Sequence, residues 1–124
     1  MSHVRILRRL CFTLYILSVL GSAVFGQTPK WTIGMSQCNL GEPWRVQMNA
    51  DIKQAAEQHA ELKVIFKDAQ NDNLRQSAHV EEFIRAGVNL IVISPKEAAP
   101  LTKPVSEAYR KGIPVIVLDR IVVF

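Results

Sequence analysis

The sequence predicts an α/β fold with a doubly wound parallel sheet, and three observations carry this prediction. Short apolar runs rich in β-branched residues alternate with stretches of helical periodicity. The run 113–118 is almost wholly apolar, which is typical of a strand buried in a parallel sheet. Gly87 and Gly112 stand where two of the helical stretches would end. Strands that alternate with helices in this way favour a sheet with helices on both faces.

The first part of the fold is predicted as two strands around one helix. Residues 31–37 form the first strand and residues 62–66 the second. Between them, residues 38–43 contain Gly, Asn and Pro and predict a loop. One face of the following helix shows residues at helical spacing. These residues are Met48, Ile52, Ala55, Ala56 and His59.

The second part is predicted as two more helix and strand pairs. Asn71, Asp72 and Asn73 are interpreted as helix caps, with ligand contact as the minor alternative. Residues 88–94 and 113–118 are the third and fourth strands. The helix faces that precede them are Val80, Phe83 and Ile84, and then Leu101, Val105, Ala108 and Tyr109. Right-handed connections make this a Rossmann-like sheet with strands in the order second, first, third, fourth.

The net charge of the chain comes mainly from its first residues. The formal charge is +4, but Arg5, Arg8 and Arg9 account for three of the 15 basic residues. From Gln27 onward, 12 basic residues face 11 acidic ones. A nearly neutral domain lacks the basic surface that binds nucleic acid or anionic membranes. We therefore expect no nucleic-acid partner.

Residues 1–26 are predicted to be a signal peptide. Basic residues precede an apolar run over 10–25, and small residues follow. We expect cleavage after Gly26, or alternatively after Ala23. A permanent transmembrane anchor is the other interpretation, but the run is shorter than the roughly 20 residues of a bilayer span. The expected location is therefore the periplasm, with no stable membrane anchor after cleavage.

The sequence gives little support for catalysis or for a bound metal. Cys38 is the single cysteine after the leader, so no intrachain disulfide is expected. His59 and His79 are both predicted to lie within helices. Residues 68–73 resemble a calcium loop but lack the glycine that its sixth position needs. We predict no enzymatic activity, no metal and no cofactor.

The loop after the first strand carries groups that suit a sugar. Glu42, Trp44 and Arg45 place an acid, an aromatic ring and a base within four residues. A flat ring can stack on the C–H face of a sugar, and a planar guanidinium can form two parallel hydrogen bonds. The alternative is that Trp44 packs inward against the helix and Arg45 is solvated. Both interpretations are open on these residues alone.

Asp119 and Arg120 follow the fourth predicted strand directly. In an open α/β sheet, ligands bind outside the carboxyl ends of the strands. The pair is therefore placed where a polar ligand would lie, and we expect Asp119 to meet the Trp44 loop at one edge of the sheet. The alternative is an ordinary surface ion pair at a strand end.

Four motifs together resemble the periplasmic sugar-binding proteins of the ribose/galactose type, the type I periplasmic binding proteins of ABC importers. The motifs are IGMSQCNLGEPWR, FKDAQNDN, AGVNLIVISPKEAAPL and GIPVIVLDR. The resemblance implies that Asp119 and Arg120 bind sugar hydroxyls. The galactofuranose-binding branch of the family further implies ligand contacts from Trp44 and Arg45, with Glu42 beside them.

The resemblance also implies the extent and the role of the domain. Family members continue beyond the Asp-Arg pair into a hinge and a second lobe, so residues 27–124 are expected to be a truncated N-terminal lobe. The implied protein is a monomer that binds a monosaccharide and delivers it to the permease of an ABC transporter. The alternative is a domain that presents the sugar to a membrane receptor or kinase. A repressor domain is disfavoured because the leader occupies the place of DNA-binding helices, and an enzyme is disfavoured because phosphate-binding loops and strand-end nucleophiles are missing.

Overall fold

Four strands and three helices alternate along residues 28–122, the part of the chain that this computed structural model describes. The strands are β1 (Trp31–Gln37), β2 (Leu62–Asp68), β3 (Leu90–Ser94) and β4 (Val115–Val117). The helices are α1 (Pro43–Glu57), α2 (Asn73–Ala86) and α3 (Ala99–Arg110). Within residues 28–122, no helix is both long and apolar enough to cross a bilayer. The predicted signal peptide, 1–26, lies outside the described residues and stays a prediction.

The sheet is parallel throughout, and its strand order is β2-β1-β3-β4. This confirms the predicted doubly wound α/β fold and the predicted order. Because β1 and β3 are neighbours in the sheet but not in sequence, the strand order reverses between them. Gln37 at the end of β1 is in register with Asp68 of β2 and Ser94 of β3. The carboxyl ends of the strands therefore lie along one edge.

Helices α1 and α2 cover opposite faces of the sheet. Successive side chains of β1 point to opposite faces, and two neighbouring residues at its end contact different helices. Ser36 Oγ lies 3.1 Å from Nδ1 of His79 in α2. Gln37 Nε2 lies 3.5 Å from Sδ of Met48 in α1. The main apolar core lies on the side of α2 and α3. Its buried members are Val80, Phe83, Val88, Ile91, Ile93, Leu101, Val105, Ala108 and Val122.

Helix α2 is closely fitted to the sheet and capped at both ends. A Cβ at Gly34 of β1 would lie 2.5 Å from Cγ of Phe83, so only glycine leaves room for this ring. The helix begins where the Asp72 carboxylate accepts a hydrogen bond from the backbone N–H of Arg75 at 3.0 Å. It ends at Gly87, whose φ of +66° is left-handed. The predicted capping roles of Asp72 and Gly87 are confirmed.

Two predicted strands begin too early, since helix caps take their first residues. The backbone N–H of Val88 donates to the carbonyl of Phe83 at the end of α2, so β3 begins at Leu90 and not at residue 88. The N–H of Ile113 donates to the carbonyl of Ala108 at the end of α3. Pro114 has no N–H to donate, and β4 is therefore confined to Val115–Val117.

Other boundaries and burial also differ from prediction. Strand β2 extends to Asp68, two residues past its predicted end, because it stays paired with β1 as far as Gln37. His59 lies beyond the end of α1 and not within it. The edge strands β2 and β4 are only partly buried, as Ile116 at 47% exposure shows. An edge strand has a neighbour on one side only, which leaves its side chains less covered than those of β1 and β3.

Candidate functional site

The Arg45 side chain is the centre of a hydrogen-bonded cluster at the carboxyl edge of the sheet. Its Nε donates to Glu42 Oε2 at 2.9 Å. Its Nη1 donates to Gln37 Oε1 at 3.0 Å and to Ser94 Oγ at 2.8 Å. Its Nη2 donates to Asp119 Oδ2 at 3.2 Å. Arg45 is only 5% exposed, so these acceptors replace the water that the guanidinium has lost.

The fold brings the acceptors of Arg45 together from four separate segments. Gln37 ends β1 and Ser94 ends β3, and the two are register partners in the sheet. Glu42 is the N-cap residue of α1, one turn before Arg45. Asp119 follows β4 with a φ of +72°, a left-handed conformation that Asp tolerates better than bulky residues do. The sequence prediction that Asp119 and the Trp44 loop meet at one edge is confirmed.

The Trp44 ring forms one wall of the cluster. The Cζ atom of Arg45 lies 4.1 Å from the centroid of the ring, within the range of a cation–π contact. Trp44 nevertheless stays 45% exposed. The structure therefore agrees with neither half of the inward-packing alternative, because Trp44 remains at the surface and Arg45 is the buried member of the pair.

The electrostatic character of the cluster is set by two carboxylates on one guanidinium. Glu42, Arg45 and Asp119 together carry a formal charge of −1 at neutral pH. The side chain of Glu42 is 49% exposed and that of Asp119 is 35% exposed. Each carboxylate uses one oxygen on Arg45, which leaves its other oxygen able to accept a hydrogen bond from a hydroxyl. The exposed side of the cluster is therefore rich in acceptors.

Arg120 is not joined to this cluster. Its Nη1 donates to the backbone carbonyl of Lys96 in the loop after β3, at a distance of 2.6 Å. Among residues 28–122, no hydrogen bond or ion pair links Arg120 to the groups around Arg45. The structure thus gathers Glu42, Trp44, Arg45 and Asp119, while the contact of Arg120 with a ligand stays a prediction.

Gln37 and Ser94 are members of the cluster that the sequence analysis missed. Both are 0% exposed, and both place a polar side chain at the end of an apolar strand. That position was the available signal, since polar residues at the carboxyl ends of neighbouring parallel strands face the ligand side of the sheet.

The neighbouring loops after β1 and β2 support each other next to the cluster. Asn39 Nδ2 donates to Asn71 Oδ1 at 2.9 Å. The backbone N–H of Asn71 donates to the carbonyl of Cys38 at 2.8 Å. Asn71 has a φ of +60° and therefore serves the turn before α2. These contacts favour the structural interpretation of the Asn-rich loop.

His79 is a further buried titratable group, on the face of the sheet opposite to Arg45. It is 8% exposed, and Ser36 Oγ is its hydrogen-bond partner. Burial, followed by the nearby charge of Lys67, lowers the pKa of His79 below its ordinary value of 6.5. Cys38 is buried, and its Sγ accepts a hydrogen bond from Asn39 Nδ2 at 3.4 Å; among residues 28–122 no hydrogen bond joins it to a histidine. Within the described part of the chain, no three His, Cys, Asp or Glu side chains are grouped to hold a metal ion.

Comparison with known proteins gives one family match and several related structures. Residues 33–122 match the family described as periplasmic binding protein domain. The chain is 35% identical over 95 residues to the ribose import binding protein of Bacillus subtilis. That alignment covers 77% of this chain and 31% of the relative, so the chain spans about a third of the length of this relative.

Two solved structures show the same architecture. The fructose-binding periplasmic domain of a hybrid two-component system is 41% identical, with a TM-score of 0.72 over 76% of this chain and 31% of that one. The binding protein of an arabinose ABC transporter from Shewanella sp. ANA-3, with bound L-arabinofuranose, is 32% identical. Its TM-score is 0.69 over 75% of this chain and 30% of that one. All three relatives are named as binding proteins or domains, in agreement with the prediction that the chain is not an enzyme.

Proposed function

This chain belongs to the periplasmic binding protein domain family, and from that membership we propose that it forms one lobe of a sugar-binding protein and contributes one side of the sugar site. The observation that supports the proposal most directly is the cluster around Arg45. It joins the two predicted ligand-binding segments, which lie 74 residues apart, at the edge of the sheet where α/β proteins bind ligands.

The chemistry of the cluster suits a neutral monosaccharide. Sugar hydroxyls can donate to the free oxygens of Glu42 and Asp119, while the exposed Trp44 ring offers a flat apolar surface to the C–H groups. Hydrogen bonds to charged groups contribute about 1.5–3 kcal/mol each, so a few of them suffice to orient a small ligand. Arg120 is proposed to donate to a further hydroxyl, because its Nε and Nη2 have no partner among residues 28–122.

We propose delivery to the permease of an ABC transporter as the role of the bound sugar. Two of the relatives above are transport proteins by name, for ribose and for arabinose. The second candidate is sensing, and the fructose-binding domain of a hybrid two-component system at 41% identity favours it. Genes for a permease and an ATPase beside this gene would support transport, whereas a histidine kinase gene in their place would support sensing.

We also propose that the protein is exported to the periplasm and acts there as a monomer. The support is the basic, apolar and small-residue pattern of 1–26, together with the family of the remaining chain. Mass spectrometry of the exported protein is expected to find an N-terminus at Gln27, or at Val24 if cleavage occurs earlier. An intact Met1 in the membrane fraction would contradict signal cleavage.

Sugar binding itself is best tested in a two-lobe setting. The suitable protein is a chimaera in which residues 28–122 replace the matching third of the Bacillus subtilis ribose import binding protein. We expect calorimetry to detect binding of D-ribose, D-fructose or L-arabinose. We expect the chain alone to bind the same sugar far more weakly, since family members close two lobes around their ligand. Equal affinity of the single lobe and the chimaera would contradict the two-lobe account.

The position of the sugar can be tested on the chain alone. Titration with the sugar at high millimolar concentration is expected to shift the NMR signals of the Trp44 indole and of the Asp119 backbone. The signals of Lys53 and Glu57, on the opposite end of α1, are expected to stay in place. Shifts confined to the C-terminal end of α1 and to β2, with the Trp44 and Asp119 signals unchanged, would move the site away from the Arg45 cluster.

A further inference from the structure

We propose that Gln37 and Ser94 are positioning residues, which fix the Arg45 guanidinium so that it presents Glu42, Asp119 and the Trp44 ring in one arrangement. The inference deepens the proposed sugar site and rests on that proposed function. It concerns two residues that act through Arg45 and need not touch the sugar themselves.

The two residues together occupy one end of the guanidinium. Gln37 Oε1 and Ser94 Oγ accept both N–H groups of Arg45 Nη1, at 3.0 and 2.8 Å. Because Gln37 and Ser94 are register partners on adjacent strands, the sheet itself sets the spacing between these two acceptors. Both side chains are completely buried, so water cannot take the place of either.

The orientation of the Gln37 amide is itself fixed. Its Nε2 lies 3.5 Å from the Met48 sulfur of α1, which places Oε1 toward Arg45. Ser94 is held by its backbone, since its carbonyl accepts a hydrogen bond from Gln76 Nε2 at 2.9 Å. The two acceptors are therefore anchored by groups that do not belong to the site.

Fixing Nη1 determines where the rest of the planar guanidinium lies. Nε is left facing Glu42 and Nη2 facing Asp119, and the plane lies against the Trp44 ring. Four of the five N–H groups then have partners, and the fifth, on Nη2, has none among residues 28–122. A ligand would thus meet two oriented carboxylates, a ring and at most one N–H of Arg45.

The wild-type chain offers a spectroscopic signature of this arrangement that requires no sugar. Hydrogen bonds at both ends of the guanidinium slow rotation about its Nε–Cζ bond. In the chain labelled with nitrogen-15 arginine, we expect separate Nη1 and Nη2 signals for Arg45, assigned by their loss in Arg45→Lys. Gln37→Met keeps the side-chain length but removes the acceptor, and Ser94→Ala removes a hydroxyl. Each change is expected to merge the two signals.

Two control variants separate positioning from a general loss of structure. Ser36→Ala removes an equally buried hydroxyl one residue before Gln37, but that hydroxyl points to His79 on the opposite face. It is expected to leave the Arg45 signals separate. Ser94→Thr keeps the hydroxyl that Ser94→Ala removes, so the Nη1 and Nη2 signals of Arg45 are expected to stay separate in it. Dispersed backbone amide signals establish that each variant is folded.

The same variants in the chimaera connect positioning to binding. We expect Gln37→Met and Ser94→Ala each to lower the affinity for the bound sugar about tenfold, and Ser36→Ala and Ser94→Thr to stay within about twofold of the parent. Separate Nη signals in folded Gln37→Met and Ser94→Ala would overturn the inference. If the parent chimaera binds none of the three sugars, the proposed function fails, while the Nη signals still decide whether the two residues position Arg45.

Discussion

Arg45 and Asp119 lie 74 positions apart in the sequence, yet Nη2 of Arg45 is 3.2 Å from Oδ2 of Asp119. The pair spans the point where the strand order reverses, since Arg45 follows β1 and Asp119 follows β4, with β3 between them. In doubly wound folds this crevice receives the ligand. The ion pair therefore marks the candidate site by topology as well as by chemistry.

The strand-end residues Asp119 and Arg120 are expected to contribute directly to sugar affinity. In the chimaera, Asp119→Ala and Arg120→Ala are each expected to weaken binding. One lost hydrogen bond to a charged group costs about 1.5–3 kcal/mol, which corresponds to a loss of about tenfold to a hundredfold. Calorimetry measures the affinity, and circular dichroism checks that the fold is intact.

Asp51→Ala is the matched control for the strand-end variants. It removes an exposed carboxylate of α1 that accepts a hydrogen bond from Gln47 Nε2 at 2.7 Å and lies outside the Arg45 cluster. Its affinity is expected to equal that of the parent. If Asp119→Ala and Arg120→Ala also bind as tightly as the parent, the two residues are surface groups at a strand end and not ligand contacts.

Replacement of Arg45 by lysine is expected to destabilise the fold as well as the site. A lysine ammonium cannot reach four acceptors in one plane, so Gln37 Oε1 or Ser94 Oγ would be left buried without a donor. An unsatisfied buried polar group costs about 1–3 kcal/mol. Urea denaturation is expected to show Arg45→Lys less stable than the parent by about this amount.

The comparison variant for this change is Arg85→Lys in the last turn of α2. Arg85 is exposed, and lysine retains its charge near the helix end. Its stability is expected to lie within about 0.5 kcal/mol of the parent, as for other surface substitutions. A similar small effect for Arg45→Lys would show that the hydrogen-bonded cluster contributes little to folding.

The sequence predicts the α/β class, the strand order and four of the residues that meet at the site, because each depends on local patterns or on general rules of topology. The side chains that hold Arg45 could not be predicted in the same way. Whether Gln37 and Ser94 share one partner depends on the register of β1 against β3, which no local pattern encodes. The direction taken by Arg120 likewise depends on the carbonyl of Lys96, supplied by a loop 24 residues away.

Gly34 is expected to be a position where even alanine is poorly tolerated. Its added Cβ would approach Cγ of Phe83 to 2.5 Å, and the ring is 1% exposed and has little room to move. Overpacking of this kind costs about 1–3 kcal/mol. Thermal or urea unfolding of Gly34→Ala is expected to show this loss.

Gly41→Ala provides the comparison, since its Cβ would meet only Asn39 Oδ1, at 3.4 Å, in an exposed loop. It is expected to change stability by less than about 0.5 kcal/mol. Equal stabilities for the two variants would contradict the close packing of α2 on β1.

Stability is expected to fall as the pH drops below about 6.5 because of His79. Burial lowers the pKa of this histidine in the folded state below its ordinary value of 6.5, and the positive charge of Lys67 on the adjacent strand acts in the same direction. The carboxylates of Glu82 and Asp68 oppose the shift, and Arg75 adds to it. Between the two pKa values the unfolded chain binds more protons than the folded one. The contribution of His79 is thus fully present above pH 6.5 and is lost as the pH falls toward the folded-state pKa.

The free energy of unfolding, measured by urea at several pH values between 5 and 8, tests this linkage. We expect a decline on the acid side of pH 6.5 in the parent and a flatter profile in His79→Gln, whose side chain keeps hydrogen-bonding capacity for Ser36. His59→Gln serves as the matched variant, since that ring is 57% exposed and lies outside the core. A decline that persists unchanged in His79→Gln would assign the pH dependence to other groups. If the decline disappears in His59→Gln and not in His79→Gln, the pH dependence of stability does not come from His79.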